Sequence, residues 1–105
     1  MEQNRMYSII VVCLNAGQRL QDTVESILGQ RYENFEVVVK DGGSSDGSIE
    51  MLGNIFQDER IRVYTQKDNG IYDAMNQAVK MAKGTYFLFM NTGDSFYDEE
   101  VLDKI

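Results

Sequence analysis

The chain has 105 residues and a net charge of −7, from 10 Lys or Arg against 17 Asp or Glu. This length predicts a single domain, and the acidic balance argues against a nucleic-acid partner, which would need a basic surface stripe. The 105 residues contain no histidine and one cysteine. This composition excludes an internal disulfide, His-ligated zinc and a histidine-based catalytic triad within them. Cys13 falls in a predicted strand and is expected to be a small buried hydrophobe.

Strand-like apolar runs alternate with helical periodicity, which is typical of a parallel α/β sheet. Gly84 is expected at the C′ position of the third helix, and Asp46 or Ser48 as the cap of the second. Four strands with three crossovers predict a Rossmann-like three-layer sandwich with a mostly parallel sheet. Strands are expected at 8–14, 35–39, 61–65 and 86–90, helices at 17–28, 46–56 and 70–83, and a last helix starting at Asp98 or Glu99.

The two ends of the chain bear on location and assembly. The apolar stretch 7–14 is too short to span a bilayer and lacks a signal-peptide cleavage site. We therefore expect a cytoplasmic protein, whose full-length form could lie peripherally at the inner face of the membrane. The apolar-periodic segment 101–105 has no helix stop signal, which predicts a truncated chain whose uncovered apolar face favours self-association.

Polar residues follow three of the four predicted strands. Asn15 follows the first, Asp41 the second, and Asn91 and Asp94 the fourth. Parallel strands end at one side of a sheet, where α/β folds bind ligands, so these residues should converge on a site. Asp41 could accept hydrogen bonds from a ribose and base, while a divalent cation, which takes oxygen ligands such as Asp94, would screen a diphosphate from the acidic field.

Each of these carboxylates also has a structural interpretation. Asp41 precedes Gly42-Gly43 and could order a turn, Asp46 is better explained as a helix cap, and Asp94 could cap a helix as well. Asp73, in the first turn of the third predicted helix, is equally explained by the helix dipole. The Gly-Gly loop matches neither the dinucleotide fingerprint nor the P-loop, which argues against dehydrogenases and P-loop NTPases.

Several motifs occur in order along the chain. They are Cys13-Leu14-Asn15, the segment 26–32, Asp41-Gly42-Gly43-Ser44-Ser45-Asp46-Gly47-Ser48, Asp68-Asn69-Gly70-Ile71-Tyr72-Asp73-Ala74-Met75-Asn76 and Gly84-Thr85-Tyr86. Together, over nearly all of residues 8–94, they resemble the nucleotide-sugar-binding half of a family 2 (GT-A type) glycosyltransferase. The resemblance implies inverting transfer of a sugar from a nucleotide-diphosphate sugar to an acceptor hydroxyl, in bacterial-type polysaccharide or glycoconjugate synthesis.

The resemblance also implies roles for individual positions. Asp41 matches the family's nucleoside-binding Asp, and Val12 and Leu14 match positions that line the base pocket. The segment 91–94 matches the metal-binding Asp-x-Asp region, which implies Mg²⁺ or Mn²⁺. Asn91 stands in place of the first Asp and a glycine in place of the second, so Asp94 remains as the charged ligand.

No catalytic residue is assigned, because the family's general base lies in its second half, beyond residue 105; the fragment alone is expected to be inactive. Two alternatives stay open: a non-catalytic nucleotide- or metal-binding module of the same fold, and a receiver-like signalling domain. The second is disfavoured, because no Lys ends the last strand and no Asp pair follows the first. The predicted substrate contacts are Val12, Leu14, Asn15, Asp41, Gly70, Asp73 and Asn91, with Asp94 as the metal ligand.

Overall fold

The computed structural model describes residues 6–94 and 101–104. Within them strands and helices alternate, and none of the described helices has the length and apolar character needed to cross a membrane. The predicted start of the last helix, at Asp98 or Glu99, lies outside the described residues. The elements are β1 (Tyr7–Cys13), α1 (Gln18–Leu28), β2 (Phe35–Asp41), α2 (Ser48–Ile55), β3 (Ile61–Thr65), α3 (Ile71–Met81), β4 (Tyr86–Asn91) and α4 (Val101–Lys104).

The four described strands form one parallel sheet in the order β3-β2-β1-β4. The chain moves from β1 to β3 through α1 and α2, and then returns through α3 to β4 on the other side of β1. Right-handed crossovers therefore place α1 and α2 on one face and α3 on the opposite face. The predicted α/β fold with three layers is confirmed, and the strand order reverses between β1 and β4.

The two faces of the sheet are covered to different extents. On one face, alternate residues of β1 and β2 pack against α1, α2 and Leu102 of α4. On the other, Ile10 and Val38 pack against Ala78 of α3. Burial on both faces explains why β1 and β2 are nearly continuous apolar runs. Because α3 lies over β1 and β2, Phe87 and Phe89 of β4 stay exposed.

Gly84 follows α3 but does not end it, so its predicted C′ role is wrong. The helix stops at Met81, with Ala82 extended at the C-cap. The Gly84 amide donates to Ser8 Oγ at 2.7 Å, and a Cβ on Gly84 would lie 2.6 Å from that same oxygen. Glycine is therefore needed here because the chain passes so close to β1.

Candidate active site

An open cleft lies at the carboxyl end of the sheet, where β1 and β4 are neighbours. It has a volume of about 290 Å³ and is formed by the ends of both strands and the start of α3. The strand order reverses at this point, and open α/β sheets bind ligands at such reversals. We call it the β1/β4 cleft; its lining residues are Val12, Cys13, Leu14, Asp68, Gly70, Ile71, Ala74, Asn91 and Thr92.

Four of the predicted substrate residues line this cleft together: Val12, Leu14, Gly70 and Asn91. Leu14 lies just beyond the end of β1 and is 59% exposed. Gly70 has φ 122° at the N-cap of α3, a conformation that favours glycine. A mostly apolar wall with a few polar groups is typical of a small-molecule site.

A larger groove, of about 430 Å³, lies between α2 and β3. Its lining includes Ile61, the first residue of β3, so the groove extends toward the amino end of the sheet. Asp58, which also lines it, already binds Arg60 through a contact of 2.8 Å. The β1/β4 cleft is therefore the better candidate for a nucleotide, because it lies where the strand order reverses.

Asp41, predicted to contact a nucleoside, does not line the cleft. It is 2% exposed, and the Ser44 amide donates to its Oδ1 and Oδ2 at 3.0 and 3.1 Å. The Ser44 hydroxyl also donates to Oδ1, and Thr65 Oγ1 donates to Oδ2 at 3.1 Å. Protein donors thus occupy both oxygens, and the nucleoside contact stays a prediction that requires Ser44 to move.

Asn15 joins the loops that follow β1 and β2. The Ser45 amide donates to Asn15 Oδ1 and the Asn15 amide donates to Ser44 Oγ, both at 2.8 Å. Asn15 also adopts φ 50°, which asparagine tolerates better than most residues. Its side chain is therefore engaged in loop ordering, and its predicted substrate contact stays untested.

Asp46 links the starts of α1 and α2. Its Oδ2 accepts from the Gly17 amide at 3.1 Å, and its Oδ1 accepts from the Ser48 amide and hydroxyl at 3.0 and 2.6 Å. These bonds, with the Ser48 hydroxyl foremost, hold the pKa of Asp46 below its usual range. The N-cap position of α2 is Gly47 rather than Asp46 or Ser48, which corrects the predicted cap. We call Asn15, Asp41, Ser44, Ser45 and Asp46 the loop network.

Asp73 lies in the first turn of α3 and does not line the cleft. Its Oδ2 accepts from the Asn69 amide at 2.8 Å and from Gln77 Nε2 at 3.3 Å. The Asp73 carboxylate is therefore engaged at the start of α3, and its predicted substrate contact stays untested. Asp73 thereby orders the turn that leads into the cleft wall.

Asp94 is exposed at the end of β4. Its amide donates to the Asn91 carbonyl at 3.0 Å, its Oδ2 accepts from the Asn91 amide at 3.3 Å, and its carbonyl accepts from Thr23 Oγ1 at 2.8 Å. No group of three or more potential ligands occurs among the described residues. One exposed carboxylate beside Asn91 fits a cation that also uses diphosphate oxygens, because Mg²⁺ commonly takes one or two carboxylates plus substrate phosphates.

Two site residues were missed by sequence reasoning, Lys40 and Asp68. Among the described residues that line the cleft, Asp68 is the one that is charged. Lys40 Nζ lies 3.0 Å from Asp68 Oδ2, and this bond holds the pKa of the Asp68 carboxyl below its usual range. The available signal was a lysine directly after the apolar run Val37-Val38-Val39, near the carboxyl end of a buried strand.

Cys13 lines the cleft, but its thiol is unreactive. Burial raises the pKa of its thiol to about 12, and the nearby Asp41 adds to that effect. A thiol in this state is not nucleophilic at neutral pH. The expectation of a small buried hydrophobe is confirmed.

The four-stranded parallel sheet with helices on both faces defines an α/β domain of the Rossmann-like class. Comparison with known families makes this specific: the model described as "Glycosyl transferase family 2" matches residues 8–105. The chain belongs to glycosyl transferase family 2. The resemblance drawn from its motifs is confirmed.

Two curated relatives illustrate the relationship. A PGL/p-HBAD biosynthesis glycosyltransferase of Mycobacterium bovis (strain BCG / Pasteur 1173P2) is 39% identical over 103 residues, which are 95% of this chain and 40% of that protein. Glycosyltransferase GlyG of Streptococcus pneumoniae is 36% identical over 93 residues, covering 87% of this chain and 31% of that protein. The chain therefore spans less than half the length of these relatives.

Solved structures share the fold. S. aureus TarS 1-349 in complex with UDP-GlcNAc superimposes with a TM-score of 0.85 at 25% identity, over 94% of this chain and 29% of that one. The mannosyltransferase PcManGT from Pyrobaculum calidifontis, in complex with GDP-Man and Mn²⁺, gives 0.82 at 22% identity, over 91% and 30%. The latter shows the fold alone, and both agree with the GT-A type expected from the motifs.

Proposed function

We propose that these residues form the donor-binding part of an inverting glycosyltransferase. It would transfer a sugar from a nucleotide-diphosphate sugar to an acceptor hydroxyl, in bacterial-type polysaccharide or glycoconjugate synthesis. The observation that supports this most directly is the β1/β4 cleft, which gathers Val12, Leu14, Gly70 and Asn91 at the reversal of strand order. Family membership and the UDP-GlcNAc complex of TarS support the same proposal.

The cleft offers a distinct contact for each part of a nucleotide. Val12, Leu14 and Ala74 supply an apolar wall for the face of a base. The side-chain amide of Asn91 can donate and accept hydrogen bonds. The start of a helix favours anions, so the first amides of α3, which follow Gly70, favour a diphosphate.

A divalent cation, Mg²⁺ or Mn²⁺, completes the proposed donor site. Asp94 would be its principal protein ligand and Asn91 a secondary one, with diphosphate oxygens supplying further ligands. A metal held there would supply positive charge for the nucleoside diphosphate leaving group. Such screening matters in a chain with a net charge of −7. The GDP-Man and Mn²⁺ complex of PcManGT is consistent with this use of a cation.

Transfer also needs an acceptor site and a general base within reach of the acceptor hydroxyl. We place both outside residues 1–105 and expect the fragment by itself to bind donor weakly and to transfer no sugar. The exposed Phe87 and Phe89 of β4 favour self-association of the isolated chain. We propose a cytoplasmic location, where nucleotide sugars are available.

The test is calorimetric titration of the full-length protein with UDP- and GDP-sugars in the presence of MnCl₂, followed by a transfer assay. Binding of one donor class, with metal dependence and turnover, supports the proposal. Binding without turnover would favour the non-catalytic module instead. Failure of both nucleotide classes to bind would overturn the assignment of the cleft.

A further inference from the structure

Lys40 is a charged side chain in a buried strand. It pairs in register with Val12 of β1 and Tyr64 of β3, and its side chain is 1% exposed. Its ammonium donates to the Asp41 carbonyl at 3.2 Å, to the Gln66 carbonyl, and to Asp68 Oδ2 at 3.0 Å. An ammonium has three donors, so these contacts satisfy Lys40 completely.

A buried ion pair of this kind is a weak source of stability. Desolvation of the two charges offsets much of their attraction, and apolar residues of similar volume often stabilise a core equally well or better. Methionine at position 40 would keep most of the packing but would leave Asp68 and two carbonyls without their donor. Stability therefore does not explain this lysine. The role of Lys40 lies in the groups that its ammonium holds in place.

Lys40 holds the segment that forms one wall of the β1/β4 cleft. While Asp68 Oδ2 accepts from Lys40, Asp68 Oδ1 accepts from the Gly70 amide at 3.2 Å. Gly42 permits this arrangement, because a Cβ there would lie only 3.0 Å from Asp68 Oδ2. The ammonium is thus connected through one carboxylate to the residue that precedes α3, and both Asp68 and Gly70 line the cleft.

We propose that Lys40 is a positioning residue for the donor cleft, which acts by holding the Asp68 carboxylate and the 66–70 segment in the shape that receives the nucleotide. The identity of that ligand rests on the proposed function. The positioning itself follows from the three contacts of the ammonium and from the place of Asp68 in the cleft wall.

A second ion pair on the same face of the sheet serves as a matched control. Arg62 of β3 binds Glu36 of β2, and its Nη2 also donates to the Met81 carbonyl at 3.0 Å, near the end of α3. Neither member of this pair lines the β1/β4 cleft. Arg62 thus connects the sheet to the end of α3, whereas Lys40 connects it to the segment that precedes α3. Of the two ion pairs, only Lys40–Asp68 has a member that lines the cleft.

The experiment compares Lys40→Met with Arg62→Met in the full-length protein, by calorimetric titration with UDP and with GDP in MnCl₂. We expect Lys40→Met to lower the affinity for the preferred nucleotide about tenfold. Arg62→Met should change that affinity less than twofold. Both variants should lose stability. Asp68→Asn added to Lys40→Met should cause no further loss, because Lys40 acts through Asp68. Wild-type affinity in Lys40→Met, or an equal loss in Arg62→Met, would overturn the inference.

A ligand-free readout separates this inference from the proposed function. Hydrogen exchange at the Gly70 amide should accelerate in Lys40→Met and not in Arg62→Met. Unchanged Gly70 protection in Lys40→Met would refute positioning even if nucleotides bind, whereas failure of the wild type to bind nucleotides would refute only the proposed function. Should Lys40→Met not fold, Gly42→Ala, which crowds Asp68 and leaves Lys40 in place, must lower both nucleotide affinity and Gly70 protection; wild-type values of both in Gly42→Ala would overturn the inference.

Discussion

Two groups of polar residues lie at the carboxyl end of the same sheet and differ in what they face. In the loop network, the side-chain oxygens of Asn15, Asp41 and Asp46 accept hydrogen bonds from neighbouring loop residues. In the β1/β4 cleft, the polar residue Asn91 is exposed. Polar residues that converge at the end of a sheet therefore do not all bind ligand, because some are already used to order the loops that shape the site.

The largest effect should come from the loop network and should appear in stability. Asp41→Asn would turn an amide nitrogen toward the Ser44 donors, so we expect the free energy of unfolding to fall by about 3 kcal/mol. Chemical denaturation measures this, with Asp22→Asn on the exposed side of α1 as a control that changes it by less than about 0.5 kcal/mol. A stable Asp41→Asn whose nucleotide affinity falls by about 1–3 kcal/mol would instead make Asp41 a nucleoside contact.

The next effect should come from the cleft and appear in binding. Leu14→Glu places a second carboxylate at the mouth of a site proposed for a diphosphate, so nucleotide affinity should fall about thirtyfold, or about 2 kcal/mol. Ile55→Glu is the matched control, since Ile55 on α2 is also exposed, at 53%, and lies outside the cleft. If the two variants bind UDP or GDP equally well, the nucleotide does not occupy the cleft.

A third region, around Glu36, should affect stability in a pH-dependent manner. Burial alone would raise the pKa of Glu36, but hydrogen bonds from the Lys83 amide, Ser8 and Arg62 lower it below its usual value. A lowered folded-state pKa gives stability that is complete above the unfolded pKa of about 4.3 and is lost as pH falls through the folded-state pKa.

Glu36→Gln should therefore lower the free energy of unfolding by about 1.5 kcal/mol at pH 7, and the difference from wild type should shrink below about pH 4. Denaturation curves across this range provide the measurement. Because Glu36 lies away from the cleft, nucleotide affinity at pH 7 should stay unchanged. A stability difference that grows as the pH falls would contradict the assigned contacts.

The smallest effect should come from Asp94. The free protein should bind Mn²⁺ weakly. A nucleoside diphosphate should raise the affinity for Mn²⁺, because phosphate oxygens supply further ligands to the metal. In the presence of UDP or GDP, Asp94→Ala should weaken Mn²⁺ binding about threefold, less than 1 kcal/mol, in a competition titration. Equal Mn²⁺ affinity in the two proteins would remove Asp94 from the metal site.

The fold was predictable because its signals are local. Apolar runs at β1 and β2 and helical periodicity between strands do not depend on distant partners. Among the cleft residues, Asn91 follows from a strand end in a parallel sheet and Gly70 from a turn before a helix, whereas Val12 and Leu14 were implied by the resemblance to the family. The contact of Asp41 with Thr65 was not predictable, since Thr65 is distant in sequence and reaches Asp41 only once β3 pairs with β2. Gly84 likewise looked like a helix stop, but its contact with Ser8 is set by tertiary packing.

Lys40 and Asp68 escaped prediction for a related reason. In the sequence, a lysine after three valines indicates the end of a strand. In the structure, pairing of β2 with β3 brings residues 66–68 directly to the Lys40 ammonium. Their separation in sequence gives no periodic signal. Asp68 itself belonged to a turn pattern with Asn69 and Gly70, which accounts for its position and not for its place in a cleft wall.

The measurement that tests the central claim most directly is amide chemical-shift mapping of the full-length protein during titration with UDP or GDP and Mg²⁺. If the β1/β4 cleft receives the nucleotide, the largest shifts will fall on Leu14, Gly70 and Asn91, with small ones at Lys83 near the opposite end of the sheet. Shifts concentrated at Ser44 and in the rest of the loop network, with the cleft amides unmoved, would contradict the account.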